Sequence, residues 1–433
     1  MDFVNFQQNR SNISDLTDKD DGKEVVVAGW LYDQRDLGNI RFILLRDITG
    51  EIQVTAFKNK TDSKVFDSLN SERESVLFIK GKVKKSDKAP GGREISPEDV
   101  FVLAKAEQPL PIDVSDFSKT ELPKRLDFRF LDLHRNRTQA IFKIQNSISN
   151  IFRKHFFDKG FIEMQPPCVI SAASEGGTEL FPVQYFEKKA YLAQSPQLYK
   201  QMLACSMEKI FMITPVWRAE KHNTTRHINE IRQMDIEMAF ADQFVVMKHI
   251  EEVVREIVQY VLENNKKELE VLGIKDLKVP NAVYLHYTDA IKKVDGTIGD
   301  DFTGEQEKKL CAMYPGDIVF THSWPSKIKP FYIMPKGEDF ESEESCGFDA
   351  LFGGIEISSG GQRIHLPELL TKMIQGKGLN PESFKSYIDS FRYGAPPHAG
   401  WSIGLERLTQ IICGLDNIKE ATMFPRDRDR LTP

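Results

Sequence analysis

Cationic and carboxylate residues lie close together in a segment that is otherwise typical of a β-strand. In FMITPVWRAE, Arg218 and Glu220 are two residues apart, so both side chains are expected on one face of the strand. An arginine beside a carboxylate on a sheet surface could bind a phosphate and a purine amino group, respectively. Arg226 and His227, in the loop that follows, add two potential cations to the same neighbourhood.

The next segment, IRQMDIEMAF, alternates polar with apolar residues. Its polar positions share one strand face: Gln233, Asp235 and Glu237. The two segments together predict a sheet face that carries Arg, Glu, Gln and Asp. A solvated sheet face with ordinary ion pairs has the same pattern, and these residues alone leave both interpretations open.

A second group of carboxylates lies in FDALFGGIEISSGGQR, which is typical of a β-hairpin that turns at its two adjacent glycines. Strict alternation from that turn places Asp349 opposite Ser358 and diagonal to Glu356. Two carboxylates held this way repel each other unless a cation lies between them, and such oxygen ligands suit Mg²⁺ that bridges to phosphates. Ser359 departs from the alternation and joins the site only if the strand ends there. A polar edge hairpin is the alternative.

Several further residues have types that suit an anionic ligand. In GWSIGLERL, glycines flank a short apolar run, and Arg407 on the following helix could bind a phosphate with two hydrogen bonds. In AQSPQLYKQ, Gln197 and Lys200 are three residues apart, on one side of a helical turn. Lys200 and Arg363 together could hold an acidic ligand. Helix-packing glycines and a surface lysine are the ordinary alternatives.

The elements that must position these residues follow an irregular segment of the chain. A helix is predicted over residues 137–159, where apolar residues recur at helical spacing and Gly160 ends the helix. Further helices are predicted over residues 245–269 and 405–413, among strands that are not spaced as repeating βαβ units. An α+β domain, built on a mostly antiparallel sheet flanked by helices, fits this order better than a doubly wound fold.

A smaller domain precedes it. Five β-rich runs predict a small barrel of the oligonucleotide-binding (OB) type: residues 24–31, 41–46, 52–57, 75–83 and 100–103. Residues 108–124 contain three prolines and lack apolar periodicity, which is typical of an irregular linker. The prediction is therefore a barrel over residues 1–107, a linker over 108–130 and the α+β domain over 131–433.

The barrel segment also carries residue types that bind single-stranded nucleic acid. Arg35, Phe42 and Gln53 could supply a phosphate ligand, a stacking ring and a base-edge reader. A basic run adds a local cationic patch: Lys82, Lys84, Lys85, Lys88 and Arg93. A buried phenylalanine and a solvated charge run are the alternatives.

Length and composition describe an ordinary folded protein. The chain has 433 residues, and 58 Lys and Arg against 64 Asp and Glu give a formal charge of −6, which excludes a uniformly basic coat. Its five cysteines are scattered without a C-x-x-C pair, so reduced, mostly buried thiols are expected rather than disulfides or a structural zinc site. Because the first twenty residues are polar and no apolar run reaches membrane length, a cytoplasmic protein without membrane contact is expected.

Taken in order, these segments resemble a class II aminoacyl-tRNA synthetase with an N-terminal anticodon-binding barrel, and most closely the archaeal-type aspartyl-tRNA synthetases. GFIEMQPP resembles the first motif of the family, whose helix, strand and proline, here Pro167, build a dimer interface. WRAEKHNTTRH resembles the second motif and GLERL the third. The resemblance covers nearly the whole chain and implies a homodimer.

The resemblance also implies a role for each candidate residue. Arg218 would contact the ATP α-phosphate and the substrate carboxylate, and Arg407 would hold the γ-phosphate. The other implied ATP contacts are Ala219, Glu220, Arg226, His227, Ile228, Glu356, Gly404, Leu405 and Glu406. The implied Mg²⁺ positions are Asp349, Glu356 and Ser359. The implied aspartate-binding residues are Glu175, Gln197, Lys200, Arg218, Asp235, Ser359 and Arg363.

The activity that the resemblance implies is ATP-dependent attachment of L-aspartate to tRNA through an aspartyl-adenylate. Two cations aimed at one small pocket favour aspartate over asparagine, which would leave a buried charge unpaired. The aspartate α-carboxylate would attack the α-phosphate in line, while Mg²⁺, Arg218 and Arg407 stabilise the developing charge. The terminal ribose hydroxyl of the tRNA would then take the aminoacyl group.

Two barrel positions bear on which tRNA is charged. Members of the family that charge only tRNA(Asp) tend to have Trp and Lys there, and relaxed members that also charge tRNA(Asn) tend to have His and Pro. This sequence has Tyr32 and Pro90. Pro90 favours the relaxed form, which would require a partner amidotransferase, whereas Tyr32 matches neither form. The alternatives are a discriminating enzyme and a synthetase-like paralogue without tRNA charging, either an RNA-binding regulator or an asparagine synthetase.

Overall fold

The computed structural model describes residues 9–171, 180–221 and 224–433. The chain divides into two compact units, Met1–Pro111 and Ile112–Pro433. The division falls inside the segment predicted as a linker. Of the predicted site residues, Glu175 lies outside the described residues.

The first unit is a closed β-barrel with the strand order β1-β2-β3-β5-β4. Its elements are β1 (Glu24–Asp36), β2 (Ile40–Arg46), β3 (Glu51–Phe57), α1 (Ser63–Ser68), β4 (Val76–Lys85) and β5 (Arg93–Ala104), with short 3-10 helices at Ile13–Asp15, Asp18–Asp20 and Pro90–Gly92. Alternate strand residues such as Val27, Val54 and Ile79 are fully buried and form the barrel core. The predicted five-stranded OB-type barrel is confirmed.

Strand β5 begins seven residues before the predicted run. The added residues include Pro97, which lies opposite Gly81 where the pairing of β4 and β5 shifts register. A proline among polar residues predicts a turn, but a local irregularity in the ladder accommodates it within a strand.

The second unit is dominated by one large sheet. Its strands are β6 (Ile162–Glu163), β7 (Val169–Ile170), β8 (Pro182–Tyr185), β9 (Lys188–Leu192), β10 (Lys209–Trp217), β11 (Glu230–Ala239), β12 (Ala282–His286), β13 (Ile318–His322), β14 (Gly347–Phe352), β15 (Ile355–Arg363) and β16 (His398–Gly404). Eight of these form a sheet of order β12-β13-β14-β15-β16-β11-β10-β6, and β7-β9-β8 form a smaller one. Only the outermost pairs, β12–β13 and β10–β6, are parallel, so the predicted α+β domain on a mostly antiparallel sheet is confirmed.

The helices described in this unit include several that the sequence analysis did not predict. They are α2 (Leu122–Asp127), α3 (Arg129–Asp132), α4 (Asn136–Asp158), α5 (Gln197–Met207), α6 (Gln243–Asn264), α7 (Lys266–Leu272), α8 (Tyr287–Lys293), α9 (Gly304–Ala312), α10 (Pro367–Gly376), α11 (Lys385–Ser390) and α12 (Leu405–Ile412), with 3-10 helices at Lys336–Glu338, Pro381–Phe384 and Ile418–Ala421. Helices α2 and α3 replace the end of the predicted linker. The single helix predicted over residues 245–269 is wrong, because the chain breaks at Asn265 between α6 and α7.

Helices α4 and α6 cover one face of the large sheet. Helix α4 ends before Gly160, whose φ of +76° is the left-handed conformation that terminates helices, and α6 begins where the Asp242 side chain accepts a hydrogen bond from the Val245 amide. Their apolar faces pack with Met234 and Ile236 of β11 in the main core. Because side chains alternate along a strand, the polar residues of β11 face the opposite side, where the candidate site lies.

The cysteines and the helices bear on two of the sequence predictions. All five cysteines are free, with Cys311 and Cys413 buried and the other three half-buried, so the expectation of reduced thiols holds while "mostly buried" overstates it. Among the described residues, no helix is both long and apolar enough to cross a membrane.

Candidate active site

A cavity of about 310 Å³ in the second unit brings most of the predicted site residues together. The predicted residues that line it are Gln197, Lys200, Arg218, Glu220, Arg226, His227, Ile228, Asp235, Glu356, Ser359, Arg363, Gly404, Glu406 and Arg407. Of the other predicted residues within the described part of the chain, Ala219, Leu405 and Asp349 do not line it; Leu405 packs into the main core.

Arg218 and Glu220 lie beyond the strand that the sequence predicted for them. Strand β10 ends at Trp217, so alternation along a strand is the wrong reason for their proximity. Asn229 fixes the loop instead: its side-chain amide donates to the carbonyl oxygens of Arg218 (2.6 Å) and Glu220 (3.0 Å), and its own carbonyl accepts from the Arg218 amide (2.9 Å). The Arg218 guanidinium and the Nε2 of His227 each lie 3.9 Å from the Glu220 carboxylate.

The carboxylate hairpin contains a register shift that strict alternation did not predict. Strands β14 and β15 pair Phe352 with Ile355 as expected, but the shift places Asp349 opposite Ser359 rather than Ser358. Ser359 is exposed to the cavity, whereas Ser358 is buried. An extra residue on one strand of a β-bulge reverses the alternation beyond it, which is why Ser359 joins the site without the strand ending.

Lys329, which the sequence analysis did not single out, pairs with one of the two carboxylates of the hairpin. The Nζ of Lys329 donates to both carboxylate oxygens of Asp349, at 2.7 Å each. The pKa of Glu356 is raised, first by burial and then by the negative charge of Asp349. The Nη1 of Arg407 donates to the Glu356 carbonyl oxygen at 2.8 Å and lies 3.9 Å from its carboxylate.

The donor set fits a magnesium ion. Carboxylate and hydroxyl oxygens are hard ligands of the kind that Mg²⁺ prefers when it also binds phosphates. Burial is the first cause of the raised pKa of Glu356 and the charge of Asp349 adds to it, so a dication beside the two carboxylates would favour their charged forms. Of the three predicted positions, Glu356 and Ser359 line the cavity, and Asp349 lies behind them on the adjacent strand.

Helix α9 places a further carboxylate, Glu307, next to Arg226, which lines the cavity. Glu307 lies 3.7 Å from the Nη1 of Arg226, which therefore has a carboxylate partner already. Burial, and after it the charge of Glu356, raise the pKa of Glu307 to about 7. No spacing pattern in the sequence indicated Glu307, because α9 and the hairpin meet only in the folded unit.

Four buried charged side chains form a cluster beside the cavity; Lys200, Asp235 and Arg363 line it, and Glu237 is in contact with two of them. The Nζ of Lys200 lies 2.8 Å from Asp235 and 3.5 Å from Glu237, and it also donates to the Trp401 carbonyl at 3.2 Å. Arg363 donates from Nε and Nη2 to the two oxygens of Glu237, at 2.9 and 3.4 Å. Each of these four side chains is at most 3% exposed.

The two carboxylates of this cluster differ in their electrostatics. Burial raises the pKa of Asp235 in spite of the neighbouring Lys200. Burial alone would also raise the pKa of Glu237, but Arg363 and Lys200 together lower it. Glu237 therefore neutralises the charge of Arg363. The alternation of polar and apolar residues in its segment did not predict this role. Gly400 makes room for it, because a Cβ at that position would overlap the Glu237 carboxylate.

Hydrogen bonds within the protein fix the side chains of two predicted site residues, Gln197 and Glu406. The Gln197 side-chain amide donates to the Oε1 of Gln201 at 2.7 Å, which orients it at the cavity wall. Both carboxylate oxygens of Glu406 accept from the Arg232 amide, at 3.1 and 3.0 Å. Burial raises the pKa of Glu406 to about 7. Glu406 therefore positions the start of β11 as well as lining the cavity.

In the first unit, the predicted recognition residues share one barrel face. Arg35 pairs with Phe42 across β1 and β2, and Phe42 pairs with Thr55 across β2 and β3. Gln53 follows on the same side of β3, where its amide nitrogen donates to Glu94 at 2.8 Å. Arg35 is exposed and Phe42 half-buried, so a stacking ring and a cation lie side by side on an accessible surface.

The two residues associated with tRNA choice have different surroundings. Tyr32 is held in place, since the Arg46 guanidinium lies 4.2 Å from its ring centre and the Nε of Arg73 donates to its carbonyl at 2.9 Å. Pro90 is exposed at the start of a 3-10 helix between β4 and β5.

The predicted cationic patch is partly neutralised. Lys82 pairs with Glu98 at 3.0 Å, and Lys85 with Asp18 at 3.4 Å. Arg93 donates to the Ile13 carbonyl at 3.1 Å and thereby ties the N-terminal segment to the barrel. The patch is therefore weaker than five unpaired cations would make it.

Comparisons with known proteins agree with this arrangement. Residues 121–428 match the family of class II tRNA synthetases (D, K and N), and residues 25–103 match the OB-fold nucleic acid binding domain. The chain therefore belongs to the class II tRNA synthetases of the D, K and N group, as its sequence motifs predicted.

Two relatives and two solved structures show which members of this group the chain is similar to. The chain is 44% identical over 430 residues to an aspartate–tRNA(Asp/Asn) ligase of Methanocaldococcus jannaschii, with 97% of each chain covered. It is 44% identical over 428 residues to the enzyme of the same name from Archaeoglobus fulgidus, covering 97% of this chain and 99% of the relative. Among solved structures, asparaginyl-tRNA synthetase of Pyrococcus horikoshii with asparaginyl-adenylate has a TM-score of 0.93 at 32% identity, with 98% and 99% covered. Aspartyl tRNA synthetase of Entamoeba histolytica has a TM-score of 0.87 at 34% identity, with 98% and 93% covered.

Proposed function

We propose that this protein attaches L-aspartate to tRNA in an ATP-dependent reaction, and that it charges both tRNA(Asp) and tRNA(Asn). The observation that carries the proposal is the convergence of two buried cations, Lys200 and Arg363, on the same cavity that Arg218 and Arg407 line. One end of the cavity suits a small acidic molecule and the other suits phosphates.

The charge balance of the buried cluster favours an acidic amino acid. Lys200 and Arg363 are offset by Asp235 and Glu237 within the protein. If Asp235 binds the substrate ammonium, Lys200 loses part of its counter-charge, and a side-chain carboxylate restores it. A neutral amide would leave the buried cation under-compensated, and a lysine side chain would add a third cation. Aspartate therefore fits this cluster better than asparagine or lysine, the other two amino acids of the group.

The first step forms aspartyl-adenylate and releases diphosphate. The aspartate α-carboxylate attacks the α-phosphate in line, Arg218 stabilises charge at that phosphate, and Arg407 binds the terminal phosphates. Glu220 accepts a hydrogen bond from the adenine amino group. Glu356, Ser359 and Asp349 would hold a Mg²⁺ ion, which would supply positive charge to the phosphates. The tRNA ribose hydroxyl then attacks the aspartyl carbonyl of the adenylate, the bond to the phosphate breaks and AMP leaves.

The barrel face selects the tRNA. Phe42 offers a ring for base stacking, Arg35 a phosphate ligand, and Gln53 an amide whose orientation Glu94 holds. Charging of tRNA(Asn) as well as tRNA(Asp) is supported by Pro90 and by the names of the relatives in the comparisons. Such an enzyme requires a partner amidotransferase that converts aspartyl-tRNA(Asn) to asparaginyl-tRNA(Asn).

The test is a charging assay with the full-length protein, Mg²⁺ and ATP, in which labelled aspartate and labelled asparagine are each offered to purified tRNA(Asp) and tRNA(Asn). Aspartate should appear on both tRNAs. Aspartate on tRNA(Asp) alone would show a discriminating enzyme, and attachment of asparagine would show that the substrate assignment is wrong. Aspartate-dependent exchange of pyrophosphate into ATP without charging would identify a paralogue that forms the adenylate only.

The substitution Pro90→Lys tests where the tRNA choice is made. It should suppress charging of tRNA(Asn) more than that of tRNA(Asp). Asp87→Asn is the matched control, because it makes the same change in charge at an exposed position three residues away. An equal effect of both variants on both tRNAs would show general attraction to the phosphate backbone rather than selection at residue 90.

We further propose a homodimer formed through the edge of the large sheet. Strand β6 is the last strand at that edge, and it carries Ile162, which is 43% exposed; Phe157 and Phe240 are also exposed. Analytical ultracentrifugation should show a dimer that Ile162→Lys converts to a monomer.

Since all five cysteines are free, we place the protein in a reducing compartment, the cytoplasm.

A further inference from the structure

A second group of potential ligands lies outside the candidate active site, on helices α4 and α6. One ligand atom each of His155, His249 and Glu252 lie within 4.8 Å of one another, and within the described residues this is the one such group of three. We propose that these residues bind a transition-metal dication, with Zn²⁺ as the preferred ion. The site would join α4, which carries His155, to α6, which carries the other two.

The neighbouring carboxylate of Glu256 orients the His155 ring. Its Nδ1 lies 2.6 Å from the Glu256 carboxylate, which accepts a hydrogen bond, so in the neutral imidazole that donates from Nδ1 the lone pair is on Nε2. That Nε2 is buried and has no hydrogen-bond partner in the described structure, and the side chain is only 5% exposed. A carboxylate that fixes the tautomer of a histidine is the usual outer partner of a metal ligand.

His249 and Glu252 supply the other ligands from one face of α6. They are three residues apart, so their side chains are neighbours on the helix surface. The Nδ1 of His249 lies 3.8 Å from the Oε2 of Glu252, and no hydrogen-bond partner for this buried nitrogen is described. Two ligands bound to one tetrahedral zinc are about 3.4 Å apart, so small side-chain movements complete the geometry. Two buried imidazole nitrogens without partners are the observation that an ordinary ion-pair cluster does not explain.

The chemical types of the three ligands indicate which metal the site would bind. Two imidazoles and a carboxylate suit Zn²⁺, whereas Mg²⁺ prefers oxygen ligands alone. Three protein ligands leave a fourth position for water. Lys159 competes for the site, since its Nζ lies 2.9 Å from the Oε2 of Glu252. Both side chains of that ion pair are about one-third exposed, so the pair is weak and a metal can displace it.

The test measures binding of Zn²⁺ and Co²⁺ to the full-length protein after removal of metals by a chelator. Saturating Mg²⁺ is present throughout, so that the carboxylates of the candidate active site are occupied. We expect one Zn²⁺ per chain, and for Co²⁺ the visible absorption of a four-coordinate ion. Zn²⁺ should also raise the melting temperature, because a ligand that binds only the folded state stabilises it.

Three variants and one control locate the site. His249→Gln and Glu252→Gln should abolish the Co²⁺ spectrum, and Glu256→Gln should weaken Zn²⁺ binding about 10- to 100-fold through His155. The control is His286→Gln, because His286 also lies near a glutamate and a second histidine, at 3.6 Å from Glu344, without forming a converging group of three. It should bind Zn²⁺ as the wild type does.

Lys159→Gln keeps the proposal testable if a ligand variant fails to fold. Removal of the competing ammonium should tighten Zn²⁺ binding about two- to fivefold. The proposal is overturned if the wild type binds no Zn²⁺ in the presence of Mg²⁺, if folded His249→Gln binds it as the wild type does, or if Lys159→Gln leaves the affinity unchanged.

Discussion

The cavity of the second unit and the recognition face of the barrel use charge in opposite ways. In the cavity, Lys200 and Arg363 are almost completely buried and already paired with carboxylates. On the barrel face, Arg35 is exposed beside the half-buried ring of Phe42. A small ligand recognised by buried charges must match their balance closely, whereas a nucleic acid recognised by an open face gains affinity from stacking and phosphate contacts that tolerate movement.

Loss of one buried charge should cost the most. Arg363→Leu removes the nearer of the two cations beside Glu237 and leaves only Lys200, at 3.5 Å, so it should lower the free energy of unfolding by about 3–5 kcal/mol, measured by urea denaturation. The double variant Arg363→Leu/Glu237→Leu should regain most of that stability yet remain inactive in aspartate-dependent pyrophosphate exchange. Arg46→Leu is the control from the barrel, where Arg46 and Glu74 form a buried pair at 3.2 Å. It should destabilise the protein and leave pyrophosphate exchange intact; loss of exchange in that variant would contradict the separation of roles.

Removal of Arg218, the proposed ligand of the α-phosphate, should have the next largest effect. Arg218→Ala should lower the rate of pyrophosphate exchange about 10²- to 10³-fold, because a positioned donor to the transition state is lost. Arg232→Ala serves as the matched variant, since that side chain pairs with Glu230 at 3.0 Å and does not line the cavity. Similar losses in both variants would argue against a specific role for Arg218.

The buried carboxyl of Glu406 should make stability depend on pH. Below about pH 4.5 it is protonated in the folded and unfolded states alike, and its contribution is fully present. As the pH rises from 4.5 to about 7, the unfolded chain releases the proton while the folded chain retains it, so stability falls by on the order of 3 kcal/mol. Urea denaturation across this range should show a smaller decline for Glu406→Gln than for the wild type, because Glu307, whose pKa is also raised to about 7, still contributes; an identical pH dependence in both proteins would rule the assignment out.

The smallest effect is expected on the barrel. Phe42→Ala should reduce kcat/KM for tRNA about 10- to 100-fold, the equivalent of one lost stacking contact, without changing pyrophosphate exchange. Phe101→Ala provides the comparison, because Phe101 is 49% exposed on β5, where it pairs with Phe78 of β4 and not with the strands that carry Arg35 and Phe42. Equal effects on tRNA charging would mean that no particular barrel face is used.

Periodicity explains which parts of the fold were predictable. The barrel strands and α4 were predicted because each buries one side against a single core, which imposes a spacing on the sequence. Strand β5 was predicted too short and α6 too long, since Pro97 and Asn265 act through local geometry that hydrophobic spacing does not encode. Helices α2 and α3 were missed because neither is long enough to show a period.

Some residues of the candidate site could likewise be predicted from the sequence and others could not. Arg218, Glu356 and Lys200 were recognisable from residue type and motif order. Lys329 and Glu307 were not, because each meets its partner only across segments far apart in the sequence. The pairing of Asp349 with Ser359 depends on a single register shift, and no alternation rule predicts where one occurs.

The sequence by itself determined the two-part architecture, the family and the chemical types of the site residues, because motifs and periodicities are local properties of a chain. Only the tertiary structure decided which charges neutralise each other: Arg363 with Glu237, Lys200 with Asp235, and Lys329 with Asp349. The physical reason is that the energy of a buried ion pair depends on distance and burial, and both are set by the packing of elements that the sequence holds far apart.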